Sequence, residues 1–384
     1  MSLSLPPLSL YVHLPWCVKK CPYCDFNSHR APGEIPEAEY LDALVADLEA
    51  DLPMVWGRTV HAVFIGGGTP SLFSATGLER LISDIAQRLS LAPGAEITME
   101  ANPGTVEHDR FADYRAAGIN RISLGVQSFD DTALARLGRI HGSRESRLAI
   151  KEIRRAGFDN FNLDLMYALP GQDATEARAD VRQALEFDPP HLSHYQLTLE
   201  PGTVFARHPP ELPGEDRAWS MQSGCAELLY EAGMEHYEIS AWARPGHRCL
   251  HNLNYWRFGD YLGIGAGAHG KLTLPAEERV VRTVKQRQPR LYLNAARGGV
   301  GFRSLFQAIP GADLVFEFFL NRMRLAEPVD LEMFRAHTGL EENMLAEPLE
   351  RAQALGLIQR EVDVIRRTDH GERFLNDLQA LFLP

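Results

Sequence analysis

The chain has 384 residues, 45% of them hydrophobic and 23% charged, with 31 Gly and 24 Pro, a profile that excludes disorder, collagen and coiled coil. Its formal charge of −12 is the wrong sign for gripping phosphate backbones, so no nucleic-acid partner is expected. No apolar run reaches the roughly 18 residues a bilayer span requires, and no basic residue precedes the apolar stretch in Met1 to Leu10 as a leader would demand; a cytoplasmic protein, at most peripheral to a membrane, is expected.

Short β-branched and apolar runs alternate with amphipathic stretches. Strands are expected at Tyr11 to Leu14, Ala62 to Ile65, Ile97 to Glu100, Arg121 to Gly125, Phe161 to Leu165 and Ser193 to Thr198. The helices between them are expected at Glu37 to Leu52, Leu78 to Leu89, Glu107 to Ala117, Arg144 to Ala156 and Thr175 to Phe187. Strand, helix, strand at this spacing requires right-handed crossovers and a parallel sheet, so the fold class is α/β, a partial (β/α)6 TIM-like barrel spanning residues 1–245. Residues 246–309 are Gly-rich and less regular, a connecting segment expected to close or cover the barrel mouth. From 310 to 384 the texture becomes three helices, Leu314 to Leu325, Leu331 to Thr338 and Met344 to Leu355, then two short strands and a helix from Glu372 to Leu381, which reads as a winged-helix-like domain. Arg360, Arg366 and Arg367 could touch DNA there, but the net charge favours a lid or docking surface.

In such folds chemistry sits at the carboxyl ends of the strands. Cys17-Val-Lys-Lys-Cys21-Pro-Tyr-Cys24 follows the first expected strand and holds three of the five cysteines. Three thiolates can ligate three irons of a cubane and leave the fourth open to a small chelating molecule. Zinc is the rival, but it normally takes four ligands, and His13 and His29 lack a zinc-site spacing; three unrelated buried cysteines are the bland alternative. Gly66-Gly67-Gly68-Thr69-Pro70 ends the second strand, where glycine lets a ligand approach the backbone, or merely makes a turn. Glu100 and Gln127 end the third and fourth strands with groups suited to a ribose or ammonium, and Arg139 offers a fork for a carboxylate. Asp164 lies in the apolar Phe161 to Met166, as a site residue or a helix cap. Gly263 to His269 lacks dinucleotide-loop spacing, so no NAD site is expected; His269 lies near the cofactor or is a hydrogen-bonded loop residue.

Tyr11 to His29, together with Gly66 to Pro70, Met99 to Pro103, Gly125 to Phe129, Gly138 to His141, Asn162 to Leu165 and His251-Asn-Leu-Asn-Tyr-Trp256, resembles the radical S-adenosylmethionine (SAM) superfamily, in particular its HemW branch, over nearly the whole chain. The resemblance implies a [4Fe–4S] cluster on Cys17, Cys21 and Cys24, with SAM chelating the unique iron through its amino and carboxylate groups and open to reductive cleavage into a 5′-deoxyadenosyl radical. It also implies a SAM pocket formed by Tyr11, Gly67, Gly68, Thr69, Glu100, Gln127, Arg139 and Asp164.

Coproporphyrinogen III oxidases of the oxygen-independent type, relatives of that branch, carry a further cysteine two residues after the third; here that position is Phe26, and only ten residues precede Tyr11. Both departures favour the branch described as heme chaperones, which pass heme to acceptor hemoproteins such as membrane cytochromes. Heme is then the cargo. His251 is the expected heme residue, with Cys249 second and Tyr255 and Trp256 to pack a porphyrin face; as chemistry alone, His251 reads as a structural histidine beside core aromatics. Cys225 reads as helix core. The competing functions are oxidative decarboxylation of coproporphyrinogen III propionates and a non-catalytic iron–sulfur scaffold. An electron donor such as flavodoxin or ferredoxin is required if SAM is cleaved, and a cluster on an exposed loop suits a homodimer.

Overall fold

In the computed structural model, which describes residues 3–105, 110–299 and 301–384, the strands are β1 (Leu8–Leu14), β2 (Thr59–Gly67), β3 (Ser90–Ala101), β4 (Arg121–Gln127), β5 (Phe161–Tyr167) and β6 (His191–Gln196). There follow β7 (Glu235–Glu238), β8 (Ala241–Ala243), β9 (Asp260–Ile264), β10 (His269–Leu274), β11 (Arg279–Lys285) and β12 (Arg303–Ala308). All twelve form one sheet in the order β12-β11-β10-β9-β1-β2-β3-β4-β5-β6-β8-β7. From β9 through β6 every neighbouring pair is parallel, and the additions at either end are antiparallel. The expected partial barrel is therefore present, its strands buried on both faces: β4 has no exposed residue and β1 is buried except at half-buried Tyr11.

Helices Glu37–Val55, Ala75–Arg88, Ser143–Arg155 and Ala174–Leu185 coat the sheet by apolar stripes, such as Leu78, Leu81 and Ile85 in the second. Its start is fixed by Ser74, whose Oγ accepts from Gly77 N at 3.0 Å. Of the helix expected from Glu107, residues 110–116 are helical; positions 107–109 lie outside the described residues.

Residues 246–309 depart from the expectation of an irregular mouth. They hold β9 to β12, with β9 parallel to β1. Their alternation is obscured because inward positions carry cations, each buried against carboxylates. Lys285 pairs with Asp47 and with Asp51 at 2.7 Å, all three buried. Lys271 pairs with Asp260 at 3.1 Å, and Asp260 also takes Arg58 at 2.7 Å. Both clusters bolt the extension to the barrel.

Beyond it, helices Gly311–Arg322, Leu331–Thr338 and Ala346–Ala354 pack with a three-stranded sheet, β13 (Val329–Asp330), β14 (Ile358–Glu361) and β15 (Val364–Arg367), in the order β13-β15-β14. Their aromatic core includes Phe319 stacked on Phe382 at 4.0 Å. The core continues to Phe258 and Val280 of the extension. The closing helix is broken into Asp369–Arg373 and Leu375–Ala380.

Candidate functional site

The chain leaves β1 and forms a short parallel ladder, Trp16–Cys17 against His29–Arg30, that closes residues 18–28 into one loop. His29 N donates to Pro15 O at 2.7 Å and Ala31 N to Cys17 O at 2.9 Å at its base, while Cys24 N donates to Cys21 O at 3.2 Å near its tip. Cys17, Cys21 and Cys24 are free, partly exposed thiols at the rim of a cavity of about 510 Å³ over the carboxyl ends of the barrel strands. Burial pushes the Cys17 and Cys24 thiols up in pKa; a bound metal would reverse this, since coordinated thiols lose their protons.

Strand ends supply the floor and walls. Gly67, at φ +110°, donates its N–H to Glu100 Oε2 at 3.0 Å. Gly68 N donates to Leu14 O at 2.7 Å and Thr69 N to Trp16 O at 2.8 Å, so the glycine turn is stitched to the segment that enters Cys17. A Cβ on Gly67 would lie 2.4 Å from the His13 ring, and one on Gly68 would lie 2.5 Å from Trp16 O. Close packing under the cysteine loop, rather than ligand approach alone, demands these glycines. Gln127, at φ +69°, accepts from Tyr195 OH at 2.9 Å. Asp164 accepts from Ser123 Oγ at 3.1 Å and Asn162 Nδ2 at 2.8 Å. Burial raises the Glu100 carboxyl to about 7, with Asp164 adding to the rise, and raises Asp164 as well.

Arg139 points at the thiols. Its Nη1 lies 3.5 Å from Cys21 Sγ, and its Nη2 donates to Gly125 O at 3.0 Å and to Asn102 Oδ1. Its Nε has no hydrogen-bond partner among the described residues, and there it makes no ion pair with a carboxylate. A guanidinium so placed fits an anionic group built on three thiolates, so the residues present suit the cluster. Zinc fits less well: His13 spends both ring nitrogens, on Tyr11 OH at 2.9 Å and Asn27 O at 3.0 Å, and His29 Nε2 lies 3.3 Å from Asn27 Oδ1. Among the described residues no three His, Cys, Asp or Glu side chains are grouped to hold a single metal ion.

Gly67, Gly68, Thr69, Glu100, Gln127, Arg139 and Asp164 all line the cysteine cavity. Tyr11 and His251 do not; they face a second cavity of about 680 Å³ that shares Asp25, Phe26, Gly67 and Glu100 with the first. There the His251 ring lies 4.9 Å from Phe64 and 6.3 Å from Tyr11, and its Nδ1 is buried without a partner among the described residues. His269 lines the same cavity. Cys249 is buried away from both, its Sγ donating to Glu96 at 3.4 Å; burial pushes its thiol up to about 12. Cys225 is buried in helix Glu215–Glu231. Trp256 packs under the Arg324 guanidinium at 4.2 Å. The structure also brings Arg121, Asn162, His191 and Tyr195 to the floor of the cysteine cavity. Their signal was faint, single polar residues within apolar strands, and only knowledge of which strands adjoin would have grouped them.

Residues 11–184 match the radical SAM superfamily and residues 309–374 the HemN C-terminal domain. Heme chaperone HemW of Escherichia coli (strain K12) is 51% identical to this chain over 99% of both sequences, and that of Haemophilus influenzae is 49% identical over the same share. The structure of coproporphyrinogen III oxidase from Escherichia coli, a radical SAM enzyme, superposes with a TM-score of 0.83 at 23% identity, over 98% of this chain and 90% of that one, and so shares its fold. By identity over its full length, the chain belongs to the HemW heme-chaperone family of radical SAM proteins.

Proposed function

We propose that this chain is a heme chaperone that binds heme and delivers it to acceptor hemoproteins, respiratory cytochromes among them. The observation that carries the reading is 51% identity, across the whole of both sequences, to a protein named for that function. Phe26 supports it, standing exposed on the cysteine loop where the oxidases carry a fourth cysteine.

Cys17, Cys21 and Cys24 would hold a [4Fe–4S] cluster, with Arg139 balancing its negative charge. When bound, the cluster supplies an open iron for SAM and an electron for reductive cleavage of its sulfonium. Gly67, Gly68, Thr69, Glu100, Gln127 and Asp164 would bind and orient SAM, and Tyr11 would act from the adjoining wall. A protonated Glu100 could donate a hydrogen bond as well as accept one. We assign residues 1–245 to the cofactor-bearing barrel, 246–309 to the joining extension and 310–384 to a docking domain. Acceptors include membrane-bound cytochromes; among the described residues no helix is long and apolar enough to cross a membrane. A flavodoxin- or ferredoxin-type donor serves any SAM cleavage, and a second copy is a further partner.

The test mixes the heme-loaded, reconstituted chain with an apo-hemoprotein and follows heme by its absorption after separation. Stoichiometric transfer is expected; failure to bind heme, or to release it to any acceptor, contradicts the reading.

A further inference from the structure

The second cavity answers a question the chaperone reading leaves open: where a flat dicarboxylate with a central iron would sit. It lies beside the cysteine cavity, between β1 and the extension, and its volume is in the range of sites that enclose small ligands. Tyr11, Tyr255 and Tyr261 give it aromatic walls. His251, only 9% exposed, carries the unpartnered Nδ1, a buried polar atom whose loss of water is uncompensated until a ligand arrives. His269 is an exposed residue at the first position of β10, on the same lining.

Two guanidiniums reach this cavity, and they differ. Arg282 is committed, donating to Tyr261 OH at 2.7 Å and to Glu317. Arg287 is exposed and makes no ion pair with a carboxylate among the described residues; its backbone carbonyl accepts from Asn27 Nδ2 at 2.8 Å, which ties its position to the cysteine loop. Arg287 is thus an uncommitted cation on a cavity whose lining holds aromatic rings and imidazoles together with the carboxyl groups of Asp25 and Glu100, and it suits one carboxylate of a ligand whose body is flat and apolar.

We propose that this side cavity is the heme seat, with His269 as an iron ligand from its open side and Arg287 as the partner of a propionate. The proposal rests on the chaperone reading and adds to it the place, the outer ligand and the propionate clamp. The two cavities share Asp25, Phe26, Gly67 and Glu100 in their linings, so cargo and cluster occupy adjoining chambers.

The reconstituted full chain is titrated with ferric heme and with heme dimethyl ester, as wild type, His269→Ala and Arg287→Ala, with absorption and EPR spectra of each complex. Both variant side chains are exposed, and unchanged iron and sulfide content shows that each variant is folded. Expected are a change of heme coordination and spin state in His269→Ala, and about tenfold weaker binding of heme in Arg287→Ala, the usual worth of one charge-assisted hydrogen bond. The dimethyl ester should bind wild type and Arg287→Ala equally, because it has no carboxylate to lose. If wild type binds heme and both variants match it in affinity and spectrum, the seat is elsewhere and the proposal falls while the chaperone reading stands. If wild type binds no heme, both fall.

Discussion

Gly68→Ala is expected to cost the protein its cluster before it costs the protein SAM affinity. The added Cβ would stand 2.5 Å from Trp16 O and 2.8 Å from Leu14 O, and both are backbone atoms that cannot swing aside. Relief requires the turn to separate from residues 14–17, which breaks Gly68 N to Leu14 O and Thr69 N to Trp16 O. Overpacking of this kind costs about 1–3 kcal/mol and each lost hydrogen bond about 1 kcal/mol, so the site loses about 3–5 kcal/mol, a large share of the roughly 5–15 kcal/mol that holds a folded domain. The strain falls on the segment carrying Cys17. The assay is anaerobic reconstitution with iron and sulfide counted per chain, alongside thermal unfolding and SAM binding. Lowered cluster content with a lowered Tm is expected. Wild-type cluster content and Tm, with only SAM binding weakened, would show that Gly68 serves ligand approach alone and would refute the packing argument.

Replacing Cys17, Cys21 and Cys24 together by Ala should abolish iron, sulfide and visible absorption; a variant that keeps them has its cluster elsewhere. Glu100 titrates near 7 in the fold against 4.5 ordinarily, so the folded state holds its proton more tightly and stability falls as pH rises from about 4.5 through 7, by about 3 kcal/mol in all. Glu100→Gln should remove that slope from the cluster-free protein, measured by urea unfolding at pH 5 and pH 8, and an unchanged slope contradicts the assignment. Lys285→Met leaves buried Asp47 without its cation, while Asp51 keeps Arg303, and should destabilise by about 3–5 kcal/mol in the same assay; a loss under about 1 kcal/mol would mean this ion-pair group is not what fixes the extension.

Much of the barrel was legible because its strands are apolar runs that alternate with amphipathic helices, and because cysteine crowding needs no structure to be noticed. The extension was not, since Lys271 and Lys285 look like surface residues until Asp260, Asp47 and Asp51 are found beside them. Asp260 lies 11 positions from Lys271, but Asp47 lies 238 positions from Lys285, beyond any periodicity argument. The strand ends predicted which residues would meet, yet not that the meeting place is two chambers. Tyr11 was grouped with Gln127 and Arg139, whereas the direction of its side chain from β1 places it with His251, in the adjoining cavity. The glycines were visible as a motif, but their neighbours, the His13 ring and Trp16 O, follow only from the loop's path.

The most direct test of the central claim reconstitutes the chain anaerobically with its cluster and supplies heme or coproporphyrinogen III in parallel, with SAM and a reductant in both. Bound heme and released protoporphyrinogen are measured together. Bound heme near one per chain with no protoporphyrinogen is the predicted result; protoporphyrinogen formed over repeated turnovers would contradict it and make the protein a biosynthetic enzyme.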